Sequence, residues 1–286
     1  VIYRFMNIKT AISEGVNLLS NNLIKCPGLD SEILLAEVLN KKREFLILNL
    51  DEKIEEKNFL IYRDLIKQRS LGKPIAYLTK KKNFWNSEFK ICEGVLIPRP
   101  DTEILIQETL KIFKNKESAN ILDIGVGSGC IILSILKEKP SFYGKGIDIC
   151  AKSINLSTFN ASKLGINNRV KFIKTDVDNF CFGKYDLIIS NPPYIKSYEI
   201  KYLEKDVNCF EPRLALDGGL DGTLKTLKII NKARILLKKN GKLVLEIAYN
   251  QKNNVVDLLK KKGFYINKII KDYAQNDRCI ISTKIS

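Results

Sequence analysis

The sequence predicts an α/β protein in which a doubly wound sheet follows a small α-helical bundle. Three observations carry this. Apolar residues recur at helical spacing as far as about residue 71, strand and helix patterns alternate from about residue 119, and turn-forming motifs stand at the ends of the strands in that second part. At 286 residues there is room for one large domain and a small one, since domains usually run ~100 to 200 residues.

In the first part, Ile12, Val16, Leu18 and Leu19 form one helical stripe and Ile33, Leu34, Leu35, Val38 and Leu39 another, with Asp30 and Ser31 placed to cap the second. Lys57 to Ser70 carries Phe59, Leu60, Tyr62, Leu65 and Ile66, mostly on one face. Phe5, Phe45, Phe59 and Tyr62 read mostly as core. Residues 1–80 are thus expected to be a helical domain without chemistry of its own. Residues 81–98 form a connector, hairpin-like because Phe84, Phe89, Ile91 and Val95 alternate with polar neighbours. Residues 99–286 form the α/β domain. Its expected strands are Asn120 to Ile124, Gly144 to Ile149, Val170 to Lys174, Leu187 to Ser190 and Lys242 to Ile247, with two closing strands near 264–270 and 278–284. Its expected helices are Cys130 to Lys137, Ala151 to Leu164, Gly222 to Leu237 and Gln251 to Lys262. In open sheets of this kind ligands sit beyond the carboxyl ends of the strands.

Composition narrows the chemistry. Apolar residues are 45% and charged residues 28%, ordinary for a globular chain. Apolar runs such as Ile131 to Leu136 fall far short of the ~18 to 20 residues that cross a bilayer. The N-terminus lacks the order of a secretory signal, so a cytoplasmic protein is expected. Seven cysteines without two-residue spacing suggest reduced, mostly buried thiols. The absence of histidine removes Ser-His and Cys-His nucleophiles and histidine-ligated metal sites, and no metal is expected. The net charge of +16 can steer toward nucleic acid or a ribonucleoprotein. Yet 39 of the 48 basic residues are Lys, and Ile and Asn are abundant, as a biased genome would give. Charge alone therefore names no partner.

The first α/β strand ends in Asp123-Ile124-Gly125-Val126-Gly127-Ser128-Gly129, and a helix starts at Cys130. Alternate glycines allow a tight turn and a close approach of backbone to ligand. A dinucleotide fingerprint would need glycine where Cys130 stands, which weakens the NAD reading. Asp123, two places before Gly125, would repel a pyrophosphate and suits a ligand carrying an ammonium group. Asp148 closes the second strand 19 residues after Gly129, the distance at which a ribose diol is usually accepted. Together they fit an adenosine ligand with a cationic amino-acid tail.

The fourth strand stops at Asn191-Pro192-Pro193-Tyr194. Prolines cannot continue a central strand, so this is a stiff loop on the same edge as the glycine turn. An amide or amino NH2 group presents two donors and needs two acceptors. The Asn191 side-chain oxygen and the Pro192 carbonyl can supply them, with the Tyr194 ring against the flat face. Orientation toward a sulfonium methyl would then be the catalysis, without a covalent intermediate. A nucleobase amino group would satisfy the same loop.

On these motifs the chain resembles the class I S-adenosylmethionine methyltransferases, and closely the release-factor glutamine methyltransferases of the PrmC/HemK family. Further segments match that family: Gly72-Lys73-Pro74-Ile75-Ala76-Tyr77-Leu78, Leu96-Ile97-Pro98-Arg99-Pro100-Asp101-Thr102-Glu103, Phe210-Glu211-Pro212-Arg213-Leu214-Ala215-Leu216 with Gly218-Gly219, and Lys271 to Arg278. The resemblance implies a Rossmann-like seven-stranded class I methyltransferase sheet with its last strand antiparallel, and an N-terminal helical domain that contacts the release factor. It implies S-adenosyl-L-methionine as methyl donor. The substrate would be the glutamine of the Gly-Gly-Gln motif in class 1 peptide chain release factors, methylated on its side-chain nitrogen by a monomer that needs no nucleic acid. By resemblance Asp123, Gly125, Gly127, Gly129, Asp148, Asp176 and Asn191 serve the cofactor. Asn191, Pro192 and Tyr194 are catalytic and, with Pro193, Arg99 and Glu103, hold the substrate.

Family members that methylate a ribosomal protein carry Pro-Arg-Ser where this chain has Pro98-Arg99-Pro100, which favours the release factor. A ribosomal-protein glutamine methyltransferase, an adenine or guanine amino methyltransferase acting on DNA or RNA, and a silent S-adenosylmethionine-binding scaffold are the alternatives. The chain departs from the family at Lys80, commonly glycine, and at Cys130, commonly small. Met6-Asn7-Ile8 reads as a family-style start, which would make residues 1–5 upstream sequence.

Overall fold

A computed structural model of the protein describes residues 6–285. The stretch 1–5 expected to lie upstream, and Phe5 with it, fall outside the described residues. The chain divides into two compact units: one reaches to Lys80 and takes in Glu204–Phe210, and the other comprises Lys81–Leu203 and the chain from Glu211 onward.

The first unit is helical: α1 (Ile8–Asn21), α2 (Pro27–Leu39), α3 (Arg43–Leu48), α4 (Glu56–Ser70) and α5 (Ile75–Thr79). The Asn7 side chain caps α1 by accepting the Thr10 amide at 2.8 Å. Asp30 and Ser31 are not caps, contrary to the sequence reading, because Pro27, with its fixed φ and no amide hydrogen to satisfy, already opens α2. Asp30 pairs instead with Arg69 at 2.7 Å, and Ser31 shares a 2.6 Å hydrogen bond with the buried Tyr62 hydroxyl. Ile8, Leu19, Leu34, Leu35, Leu46 and Ile66 fill the core around that tyrosine, with Phe45 and Phe59 packed partly buried at its edge. Lys80 ends α5 with φ +58, the left-handed conformation that glycine adopts most easily. The departure from the family at this position thus costs backbone strain rather than contact.

The second unit opens with a hairpin of β1 (Lys81–Phe84) and β2 (Ser87–Lys90), turned by Trp85-Asn86. Residues 91–99 then run without regular structure to α6 (Glu103–Ile112), a helix that the sequence reading did not include. There follow β3 (Asn120–Ile124), α7 (Cys130–Glu138), β4 (Tyr143–Asp148), α8 (Ala151–Lys163), β5 (Val170–Lys174) and β6 (Tyr185–Ser190). After α9 (Lys205–Phe210), which belongs with the first unit, come α10 (Leu224–Leu236), β7 (Leu237–Glu246), α11 (Lys252–Lys261), β8 (Phe264–Lys271) and β9 (Asp277–Lys284).

The seven strands lie in the order β5-β4-β3-β6-β7-β9-β8, parallel except where β9 meets β7 and β8. Leu122, Ile188, Leu243, Leu245 and Ile280 pack on one face against Ile230, Ala233 and Leu259 of α10 and α11. β3 and β6 are neighbours although β4 and β5 intervene in sequence, so the strand order reverses between them. A crevice opens at such a switch point, at the carboxyl ends of the strands.

All seven cysteines are free. The expectation that most are buried fails: only Cys130 and Cys279 are buried, while Cys26, Cys181 and Cys209 are exposed. Those three lie before α2, in a loop and in the short α9, where no core covers them. Among the described residues no helix is long and apolar enough to cross a membrane.

Candidate active site

The glycine turn connects β3 to α7 and is fastened to β4. Gly125, Gly127 and Gly129 all have positive φ, +78°, +54° and +84°, which a side chain would strain. The Gly125 and Val126 amides both donate to the Ile147 carbonyl, at 2.9 and 3.1 Å. The Asp148 carboxylate accepts from the Gly127 amide at 3.0 Å and the Cys150 amide at 2.8 Å. Burial raises the Asp148 pKa while these amides pull it down. From α8, the buried Asn160 side chain bonds the Ser128 carbonyl at 2.9 Å and both the amide and carbonyl of Lys90, so one side chain ties the turn to the hairpin.

Around the turn lies a cavity of about 250 Å³. Of the residues named from sequence, it brings together Gly125, Gly127, Asp148, Asp176, Asn191, Pro192, Pro193 and Arg99. Asp123, Gly129, Tyr194 and Glu103 are not in its lining. Gly129 is the N-cap of α7. The Asp176 side chain lines the cavity while accepting the Asp178 amide at 2.8 Å. Glu103 faces the hairpin and accepts the Trp85 amide at 2.7 Å.

Asp123 is wholly buried, and neither of its carboxylate oxygens makes a hydrogen bond. Desolvation pushes its pKa up to about 8; the Ile132 amide, short of a hydrogen bond, offsets this only partly, and Asp148 adds repulsion. Asp148 and Asp176 on the cavity wall fit the polar face of a nucleoside, and Asp123, unpaired and buried behind the glycine turn rather than on the cavity wall, favours a cationic group on the ligand through space. The donor set therefore suits S-adenosylmethionine and would repel a pyrophosphate.

At the end of β6, Asn191 donates its amide nitrogen to the Thr102 hydroxyl at 3.2 Å, which leaves its carbonyl oxygen for a ligand. The loop rests on a shelf formed by residues 216–222. The Ile195 amide donates to the Leu216 carbonyl at 3.0 Å, the Gly218 amide to the Ile195 carbonyl at 2.8 Å, and Gln251 Nε2 to the Tyr194 carbonyl at 3.0 Å. Gly218 is needed for this contact: a Cβ there would stand 2.5 Å from the Gly222 carbonyl oxygen and 2.8 Å from both the Pro193 oxygen and Tyr194 Cα. The Tyr194 hydroxyl donates to Glu246 Oε1 at 3.3 Å, and burial beside that carboxylate raises the phenol pKa.

The separated motifs meet at this edge. Buried Glu211 accepts the Ile97 amide at 3.3 Å and forms an ion pair with Arg99, joining segments 112 residues apart. Sequence reasoning missed Thr102, Asn160 and Glu246 as members of the site. Thr102 stood inside a quoted motif and could have been found there; the other two carry no local signal.

Residues 10–79 match the family model described as PrmC N-terminal domain, and residues 101–206 match the methyltransferase small domain. The chain is 37% identical to the release factor glutamine methyltransferase of Buchnera aphidicola subsp. Acyrthosiphon pisum, across 98% of this chain and 99% of that protein. It is 36% identical to that of Clostridium acetobutylicum, again across 98% and 99%. Among solved structures, a methyltransferase from Pyrococcus furiosus superimposes with a TM-score of 0.52 over 69% of this chain and 89% of that one; at 18% identity this is a likeness of fold. With these relatives matched over 98% of the chain and its N-terminal region recognised as the PrmC N-terminal domain, the protein belongs to the release factor glutamine methyltransferase family.

Proposed function

We propose that the protein transfers a methyl group from S-adenosyl-L-methionine to the side-chain amide nitrogen of the glutamine in the Gly-Gly-Gln motif of class 1 peptide chain release factors. One observation carries this reading: Asn191, on the cavity wall beside the glycine turn, spends its amide nitrogen on Thr102 and keeps its oxygen as an acceptor. An acceptor is what an incoming carboxamide NH2 requires.

The bound cofactor supplies an electrophilic methyl on a sulfonium. Asp148 and Asp176 accept the nucleoside's polar groups, and the glycine turn lets backbone close on them. Asp123 compensates the cationic tail. Asn191 and the Pro192 carbonyl hold both hydrogens of the substrate amide, so that the nitrogen is presented with its lone pair toward the donor. The nitrogen that has taken the methyl group is a strongly acidic protonated amide and gives its proton to solvent water, so no strong base is needed and the absence of histidine is no obstacle. Tyr194, Pro193 and Arg99 support the loop and the substrate chain, and the helical unit contacts the release factor. The names of the relatives, matched over nearly the whole chain, support the choice of substrate.

The test is transfer of labelled methyl from S-adenosylmethionine to purified release factor, with a Gln-to-Ala substrate as control. Label in the first and none in the second is expected. No label, or label that survives the control, overturns the reading.

A further inference from the structure

Behind the catalytic loop stands a second buried carboxylate that the reaction as described does not use. Glu246 closes β7, is 1% exposed, and has Oε2 without any hydrogen-bond partner. Leaving a charged acceptor unsatisfied in the interior costs more than leaving a neutral one unsatisfied. Packing alone gives no reason for an ionisable residue at this position. Its neighbours do: Oε1 receives the Tyr194 hydroxyl, and the Thr102 hydroxyl lies close enough to stabilise the charged form.

We propose that Glu246 is a positioning residue that sets the polarity of the Asn191 carboxamide through the Thr102 hydroxyl and anchors the other end of the same loop through the Tyr194 hydroxyl. This rests on the role given to Asn191 above. A hydroxyl has one proton. Thr102 Oγ1 accepts from Asn191 Nδ2, so its own hydrogen points elsewhere, and in this arrangement it goes to the nearby Glu246 carboxylate, whose Oε2 has no other partner. A carboxylate cannot donate, so the hydroxyl cannot turn its hydrogen toward Asn191 and the amide cannot flip. A neutral group at 246 could donate to Thr102. The hydroxyl could then donate to the Asn191 oxygen, and the loop would present NH2 to the NH2 of the substrate.

The groups that face Glu246 are Thr102 and Asp101 from the turn before α6, Tyr194 from the loop, Arg278 and Cys279 from β9, and Cys130 from α7. Burial pushes Glu246 up to about 7, while Thr102, Arg278 and Tyr194 pull it down and Asp101 raises it. Arg278, the only cation among them, is held by Asp272 at 3.0 Å and lies 3.8 Å from Asp101.

The test uses full-length protein and the release factor substrate, with kcat, KM, cofactor affinity by calorimetry, and melting temperature all measured. For Glu246→Gln we expect kcat to fall about 10²-fold, while both KM for the release factor and cofactor affinity stay within about threefold. The wild-type kcat should decline as pH falls through about 7, and that limb should be absent in the variant. Thr102→Val should lose rate as Glu246→Gln does, and Thr102→Ser, which keeps the hydroxyl, should restore it. If Glu246→Gln does not fold, the Thr102 pair carries the same test. Wild-type rate in Glu246→Gln or Thr102→Val, or an acidic limb that persists in Glu246→Gln, overturns the positioning role alone. A wild-type protein that labels no release factor overturns the functional reading on which it stands.

Discussion

An unpaired carboxylate inside a protein destabilises the free state, and Asp123 is the clearest instance here. Asparagine has the same shape without the charge. Asp123→Asn should therefore weaken S-adenosylmethionine binding by about tenfold or more, the scale of one lost charge compensation, as read by calorimetry. Asn191→Ala should behave in the opposite way, because Asn191 holds the nucleophile. Its kcat should fall by about 10²- to 10³-fold, as when one donor or acceptor to a reacting group is removed. Cofactor affinity should move little. Unchanged turnover in Asn191→Ala would sink the mechanism.

Among the elements, the loop at the end of β6 owes its shape to a shelf that is remote in sequence. Gly218 packs against backbone, with the Gly222 oxygen, the Pro193 oxygen and Tyr194 Cα all too near for a methyl group. Backbone has no rotamer with which to give way. Gly218→Ala should therefore displace the loop, lower stability by about 1 to 3 kcal/mol and reduce kcat by about 10²-fold, the cost of roughly 1 Å of misplacement. Cofactor affinity measured on the same sample should stay near wild type, since the glycine turn hangs on β4 through Ile147 and Asp148 instead. The paired glycines at 218 and 219 were visible as a motif; the reason for the first of them was not.

For the whole molecule, the raised carboxylates give a signed dependence of stability on pH. Asp123 is pushed from the ordinary carboxylate range to about 8, so the folded chain keeps a proton that the unfolded chain releases. Its contribution is fully present below about pH 4 and is lost as pH rises toward 8. Asp123→Asn removes that loss. Its melting temperature should exceed that of the wild type by a margin that widens from pH 5 to pH 8, reaching ~3 °C or more if the gain is about 1 kcal/mol. A constant margin would show that Asp123 is already paired in the free protein.

The sequence by itself determined the alternation of elements, the glycine turn and the proline-stiff loop, because each is written in contiguous residues: Asp123 to Cys130 and Ser190 to Tyr194. Hydrophobic period and turn chemistry act over a few residues and survive without tertiary context. Only the folded structure decided how the loop is held. Asn191 meets Thr102 across 89 residues, Tyr194 meets Glu246 across 52, and Asn160 meets Lys90 across 70. A single Glu at the end of an apolar strand, or an Asn on a helix, gives no local signal of such a partner. Strand order brings β3, β6 and β7 side by side and so sets Glu246, at the end of β7, behind the loop that carries Asn191 and Tyr194.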